Sequence, residues 1–171
     1  MFTNQNKISV NIGVPKFEWK DIPLCRNIDT TNLDFSYDYL KNGMAINIGN
    51  PHLIFFAETL DIKMLKKDAE KIKKTKLFLN GVNISVVKVN SKNDISVITY
   101  ERGVGITQAC GTGACASVVA SNKLNLVEKK VIVTMSGGSL EIEICQDNNI
   151  LMIGKADIVF EGKIEFSGLE Q

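Results

Sequence analysis

Cys110 opens the run Ala109-Cys110-Gly111-Thr112-Gly113-Ala114-Cys115-Ala116, in which a thiol precedes a Gly-Thr-Gly turn and then small apolar residues as far as Ala120. A thiol at a helix start lies at the positive end of the helix dipole. It also lies beside first-turn N–H groups that have no intrahelical acceptor, and both features favour thiolate. A sulfur with a pKa well below the free value of about 8.5 is therefore expected. The same N–H groups suit a substrate carboxylate, and the glycines let a ligand approach the backbone closely. Residue types alone leave two readings open: an acid/base or nucleophilic sulfur facing solvent, or a tight helix entry.

Two further groups could join such chemistry. His52, the only histidine, follows Gly49-Asn50-Pro51, a break that leaves Asn50 and His52 at a bend between two apolar runs. Glu101-Arg102-Gly103 is a charged pair at a predicted strand end. Each also has a structural reading, as a hydrogen-bonded histidine and a surface ion pair. Cys115 and Cys145 read as buried structural cysteines. A Cys110–His52 hydrolase with a thiol nucleophile is a competing chemistry.

The elements that must position these residues are legible in the hydropathy pattern. Residues 8–12 alternate as a strand, and 44–49 and 52–57 give two more on either side of the Gly49-Asn50-Pro51 break. Over 58–74, Leu60, Met64, Leu65, Ala69 and Ile72 recur at helical spacing. Seven lysines fall between positions 63 and 76, but Asp61, Asp68 and Glu70 are interleaved with them, so the polar side reads as a solvated face. Residues 81–89 and 94–101 form a predicted hairpin that delivers Glu101 and Arg102 to its far end. The helix predicted over 111–124 is small or apolar around almost its whole circumference, which suits a helix enclosed by sheet.

The C-terminal third reads as β: 130–135, a Gly137-Gly138 turn, 140–144, a turn at 147–149, then 150–153, 156–160 and 163–166. The predicted architecture is α+β, one domain over 1–171, with a curved, largely antiparallel sheet wrapped around a central buried helix and a second helix outside.

Composition narrows the class of function. The chain has 171 residues, 44% hydrophobic and 23% charged, with a net charge of +1. That balance gives no reason to expect nucleic acid or membrane as a partner, and leaves a small-molecule substrate open. The four cysteines include no Cys-x-x-Cys pair, and one histidine cannot complete a zinc site, so no structural metal is expected. The N-terminal residues lack the apolar core of a signal peptide, and a reducing cytoplasm with free thiols is the expected location.

The segment Tyr100-Glu101-Arg102-Gly103-Val104-Gly105-Ile106-Thr107-Gln108-Ala109-Cys110-Gly111-Thr112-Gly113-Ala114-Cys115-Ala116 closely resembles the second-cysteine signature of diaminopimelate epimerase. Asn47-Ile48-Gly49-Asn50-Pro51-His52, Gly81-Val82-Asn83-Ile84 and Gly137-Gly138-Ser139-Leu140-Glu141-Ile142 agree in order. The opening stretch, from Asn11 through Leu24, looks like the entry to that family's C-terminal domain.

The resemblance implies a cofactor-independent, two-base epimerase that interconverts LL- and meso-2,6-diaminopimelate. It also implies a fold of two similar halves, each a curved sheet around a helix. In that frame Cys110 is one of two acid/base thiols, and His52 and Glu101 tune and orient the catalytic groups. Asn50, Asn83, Glu101 and Arg102 bind substrate, and Gly111 and Thr112 hold its α-carboxylate through their backbone N–H groups.

The family's first cysteine, in a Cys-Gly-Asn-Gly motif, has no counterpart in these residues, because Cys25 is followed by Arg26-Asn27-Ile28. The expectation is thus a C-terminal half that does not epimerise alone and works with an N-terminal-half partner chain or as a homo-oligomer. A non-catalytic remnant or assembly subunit is the alternative. Leu79-Asn80 and Lys155 are smaller departures, where the family carries proline-containing turns.

Overall fold

The computed structural model describes residues 2–3 and 7–164. In chain order the elements are β1 (Phe2–Thr3), β2 (Lys7–Gly13), β3 (Leu33–Ser36), β4 (Lys41–Asn47), β5 (Pro51–Phe56), α1 (Ile62–Lys74), β6 (Asn83–Ser91) and β7 (Asp94–Glu101). They continue with β8 (Gly105–Thr107), α2 (Gly111–Lys123), β9 (Lys130–Met135), β10 (Gly138–Ile144) and β11 (Ile150–Lys155). The strands form one open sheet in the order β1-β2-β11-β10-β9-β7-β6-β5-β4-β3, and β8 pairs with β7 beside that path. Most neighbours are antiparallel. The exceptions are β5 with β6 and β7 with β9. Each parallel pair is joined by a segment containing a helix, because no tight turn can return the chain to a parallel strand.

Helix α2 is the hub. Its residues from Gly113 through Ser121 are all buried, and it packs against β4, β5, β6, β7, β9, β10 and β11. Small side chains permit this: Ala114, Ala116 and Ala120 bring the helix close to the sheet, where Ile54, Val87, Val97, Val133 and Ile142 close the core. Helix α1 covers the opposite face of the sheet, with Leu65, Ala69 and Ile72 packed against Leu53, Phe55, Ile84 and Val86. Successive side chains of β5 thus serve two cores, as the period of a strand requires.

Several expectations need correction. Helix α1 starts at Ile62 rather than 58, because the Asp61 carboxylate accepts the Met64 N–H at 2.9 Å and caps it there. Asp68 is not on the solvated face: it is 1% exposed. Its Oδ2 accepts the Tyr39 and Leu40 N–H groups at 3.0 and 3.3 Å, and its Oδ1 accepts from Lys71 Nζ at 2.8 Å.

The predicted strand at 156–160 is absent, since residues 156–164 belong to no helix or strand. Ile158, Val159 and Phe160 give this segment β propensity, but a strand needs a partner, and β11 already lies between β2 and β10. Ile158, Val159, Phe160 and Ile164 are 76% or more exposed. Of the strand expected at 163–166, Lys163 and Ile164 are outside any strand, and Glu165 and Phe166 lie outside the described residues. Strands β3 and β8 were not anticipated; at four and three residues they are too short to leave a periodic signal.

Candidate active site

The strand register gathers polar residues beneath the start of α2. His52 lies opposite Asn83 across β5 and β6. Ser85 lies opposite Thr99 across β6 and β7, and Thr99 lies opposite Thr107 across β7 and β8. Side chains two apart share a face, so His52, Asn83 and Glu101 lie on the α2 side together with Ile54, Ser85 and Thr99. The Ser85 and Thr99 hydroxyls are buried and hydrogen-bonded to each other at 2.9 Å.

Cys110 is the N-cap of α2, in extended backbone geometry, and its Sγ accepts the Gly113 N–H at 3.3 Å. The Thr112 hydroxyl lies 3.6 Å from the same sulfur. A side chain at position 113 would press on this arrangement, because its Cβ would fall 3.1 Å from Thr99 Oγ1 and 3.2 Å from Cys110 Sγ. The Gly111 and Thr112 N–H groups belong to the first turn, which leaves such donors available to an external acceptor.

The thiol differs from expectation in two respects. It is 6% exposed rather than facing solvent. Its pKa is pushed up rather than down: burial is the largest cause, the Thr112 hydroxyl and Gly113 N–H pull the other way, and the Glu101 carboxylate adds to the rise. Desolvation of the charged form outweighs the donors at the helix start. Cys115 is fully buried on α2, and burial followed by the charge of Cys110 pushes its thiol up to about 12, as a structural cysteine requires. Cys145 is only half-buried, so that half of the expectation fails.

Asn50 and His52 reach this sulfur as a chain of contacts. His52 is inside β5 and fully buried, not at the bend. Burial lowers its pKa to about 3, so the ring is neutral. Its Nε2 lies 2.9 Å from Asn50 Oδ1, and Asn50 Nδ2 donates to Thr112 Oγ1 at 3.4 Å. His52 therefore meets Cys110 through two intervening residues, which does not suit it as the general base of a thiol hydrolase.

Asn83 ties the remaining parts together. Its Nδ2 donates to the Pro51 carbonyl at 3.3 Å and its Oδ1 accepts the Arg102 N–H at 2.9 Å. The exposed Arg102 side chain crosses the turn before β6, where its Nη1 donates to the Asn80 carbonyl at 2.6 Å. Gly81 makes room: a Cβ there would lie 2.9 Å from Arg102 Cδ. Glu101 Oε1 accepts from the Thr107 hydroxyl at 2.6 Å.

The geometry thus joins Cys110, Thr112, Asn50 and His52 in one set of contacts and Asn83 with Arg102 in another. Glu101 is close enough to the thiol to influence it. Ser85, Thr99 and Thr107 escaped the sequence reading. Their signal was present as polar residues at inward-facing positions of otherwise apolar strands.

The family model described as diaminopimelate epimerase matches residues 44–159, a span that holds every residue of this constellation. The chain belongs to the diaminopimelate epimerase family. It is 39% identical over 158 residues to the diaminopimelate epimerase of Sphingopyxis alaskensis, covering 92% of this chain and 59% of that protein. It is 42% identical to that of Pelagibacter ubique, covering 87% of this chain and 56% of the relative. The chain therefore spans little more than half the length of these curated relatives.

Solved structures agree on fold. One is a probable proline racemase from Agrobacterium radiobacter K84 (TM-score 0.58, 11% identity, 96% of this chain and 55% of that chain). Another is a hydroxyproline epimerase from Agrobacterium vitis (TM-score 0.57, 10% identity, 87% of this chain and 49% of that chain). Among the described residues, no helix is long and apolar enough to cross a membrane, and no group of three or more His, Cys, Asp or Glu is placed to hold a metal ion.

Proposed function

We propose that this chain supplies one acid/base thiol, Cys110, and the carboxylate-binding helix start for cofactor-independent epimerisation of LL- and meso-2,6-diaminopimelate. The observation that carries the reading is the placement of a buried thiol at the start of α2, with Asn50, Thr112 and Glu101 around it. In this reading the Gly111 and Thr112 N–H groups hold the α-carboxylate, which draws electron density from the carbon as its proton leaves. Arg102 takes the distal carboxylate, where a planar guanidinium offers two parallel donors. Asn50 and Asn83 complete the polar contacts, and His52 and Glu101 set the orientation and protonation of their neighbours.

A thiol whose pKa is raised by burial rests protonated. Cys110 is then the member of the pair that delivers a proton while a second thiolate removes one from the opposite face. These 171 residues offer no second cysteine beside Cys110 except Cys115, which is fully buried in the helix body. The second base comes from a partner half, and the exposed Ile158, Val159, Phe160 and Ile164 favour such a partner by offering apolar surface to cover. Substrate chemistry and free thiols fit a cytoplasmic location.

The test is to incubate the chain with LL- and meso-diaminopimelate in D2O, alone and with the N-terminal half of the Pelagibacter ubique relative. Alone it is expected to give no isomer conversion; with the added half, conversion that disappears in Cys110→Ala. Efficient conversion by the chain alone would overturn the one-base assignment. The second reading, an assembly subunit without catalysis, predicts a stable complex between the halves and no α-proton exchange.

A further inference from the structure

We propose that the Thr112 hydroxyl is a positioning residue for Cys110, aimed at the sulfur by a one-way hydrogen-bond chain that begins at the buried neutral ring of His52. The proposal rests on the reading of Cys110 as an acid/base thiol and adds to it a direction of hydrogen bonding.

The direction follows from what each group can do. His52 is fully buried and its Nδ1 has no hydrogen-bond partner among the described residues. A neutral imidazole carries one N–H. If that hydrogen sat on Nδ1, a buried donor would be left without an acceptor, which is the rarer and costlier deficit. With the hydrogen on Nε2, the ring donates to Asn50 Oδ1 at 2.9 Å and leaves only a lone pair unpaired. The Asn50 amide is then oriented, so its NH2 group faces Thr112 Oγ1 at 3.4 Å and can only donate. A hydroxyl that accepts from Asn50 keeps its own hydrogen for another acceptor, and Cys110 Sγ lies 3.6 Å away.

Two donors thus converge on the sulfur: the Thr112 hydroxyl and the Gly113 N–H at 3.3 Å. Both favour thiolate and offset part of the desolvation that holds the thiol protonated. The titratable groups around the thiol are Glu101 from β7, which favours the protonated form, Cys115 from α2 itself, and His52 from β5 acting through Asn50. The chain gives Thr112 a task beyond its backbone N–H. It also gives the buried, uncharged ring of His52 a task, that of fixing the Asn50 amide.

The test reads the sulfur directly and needs no substrate or turnover, so it is independent of whether the chain epimerises diaminopimelate. In a Cys25→Ser, Cys145→Ser background, the rate of Cys110 alkylation by iodoacetamide is followed against pH. Thr112→Val is expected to raise the thiol pKa by about one unit, a tenfold loss of thiolate at fixed pH below it. Thr112→Ser is expected to restore the parent profile, and a thermal melt checks that each variant is folded.

Asn50→Ala is expected to shift the pKa in the same direction by a smaller amount. Adding it to Thr112→Val is expected to shift it no further, the signature of groups acting in series. An unchanged or lowered pKa in folded Thr112→Val, or additive shifts in the double variant, would overturn the proposal. Should Thr112→Val fail to fold, Asn50→Ala against the parent decides: no rise in pKa sinks the chain.

Discussion

Cys110 Sγ accepts the Gly113 N–H, so the residue proposed to move protons is also the cap of the helix it introduces. The two roles compete for one sulfur. A thiol is a weak acceptor and a thiolate a strong one, so the cap tightens when the proton leaves. Gly113 completes the arrangement, because a Cβ at the third helical position would fall 3.1 Å from Thr99 Oγ1 and 3.2 Å from the sulfur and push on both.

The two roles of Cys110 are separable by substitution. Cys110→Ser keeps an oxygen cap and is expected to hold stability near the parent value. Cys110→Ala removes the cap and is expected to cost about 1 kcal/mol. Both remove the thiol and any Cys110-dependent α-proton exchange. Urea titrations of the two variants check this, and equal stability would show that the sulfur contributes nothing as a cap.

The motif around Cys110 and the apolar helix behind it were legible because they are local: a helix start and a face pattern are written in adjacent residues. The register that sets His52 opposite Asn83 was not, since β5 and β6 are brought parallel by a crossover whose geometry no short window encodes. The sign of the Cys110 shift was missed for a related reason. The helix start is visible in sequence, whereas the burial that overrides it depends on strands from across the whole fold. Residues 156–164 show the converse, a run of β-branched and aromatic residues that is visible locally with no neighbouring strand to realise it.

Asp68 was misread as solvated because its partners, Tyr39 and Leu40, lie far away in sequence. Burial raises its pKa, but the Lys71 ammonium and the two N–H groups prevail and hold the carboxyl below its ordinary value of 3.8. Asp68→Asn is expected to cost about 2 kcal/mol at neutral pH through lost buried hydrogen bonds. A carboxylate with a depressed pKa stabilises the fold above its unfolded pKa and loses that contribution as pH falls through the folded value. The gap between parent and variant is therefore expected to narrow below about pH 4. Urea titrations at pH 7 and in the acid range check this, and a gap that widens on acidification would refute it.

His52 acts in a different pH window. Its folded pKa is lowered to about 3, from an ordinary value of 6.5. Between those values the unfolded chain binds a proton that the folded chain refuses, so acidification favours unfolding. The stability is intact above about pH 6.5 and declines as pH falls, with a slope of at most about 1.4 kcal/mol per pH unit from this residue. His52→Gln keeps a side chain that can donate to Asn50 and removes the titration. It is expected to be less stable than the parent at pH 7.5, because it loses the packing of the ring, yet nearly flat from pH 6.5 down to about 4. The carboxylates then begin to titrate. Midpoints of urea unfolding across that range, for parent and variant side by side, give the difference in slope. Equal slopes would mean that the ring takes up a proton in the folded state, and would remove the neutral imidazole from which Asn50 and Thr112 take their orientation.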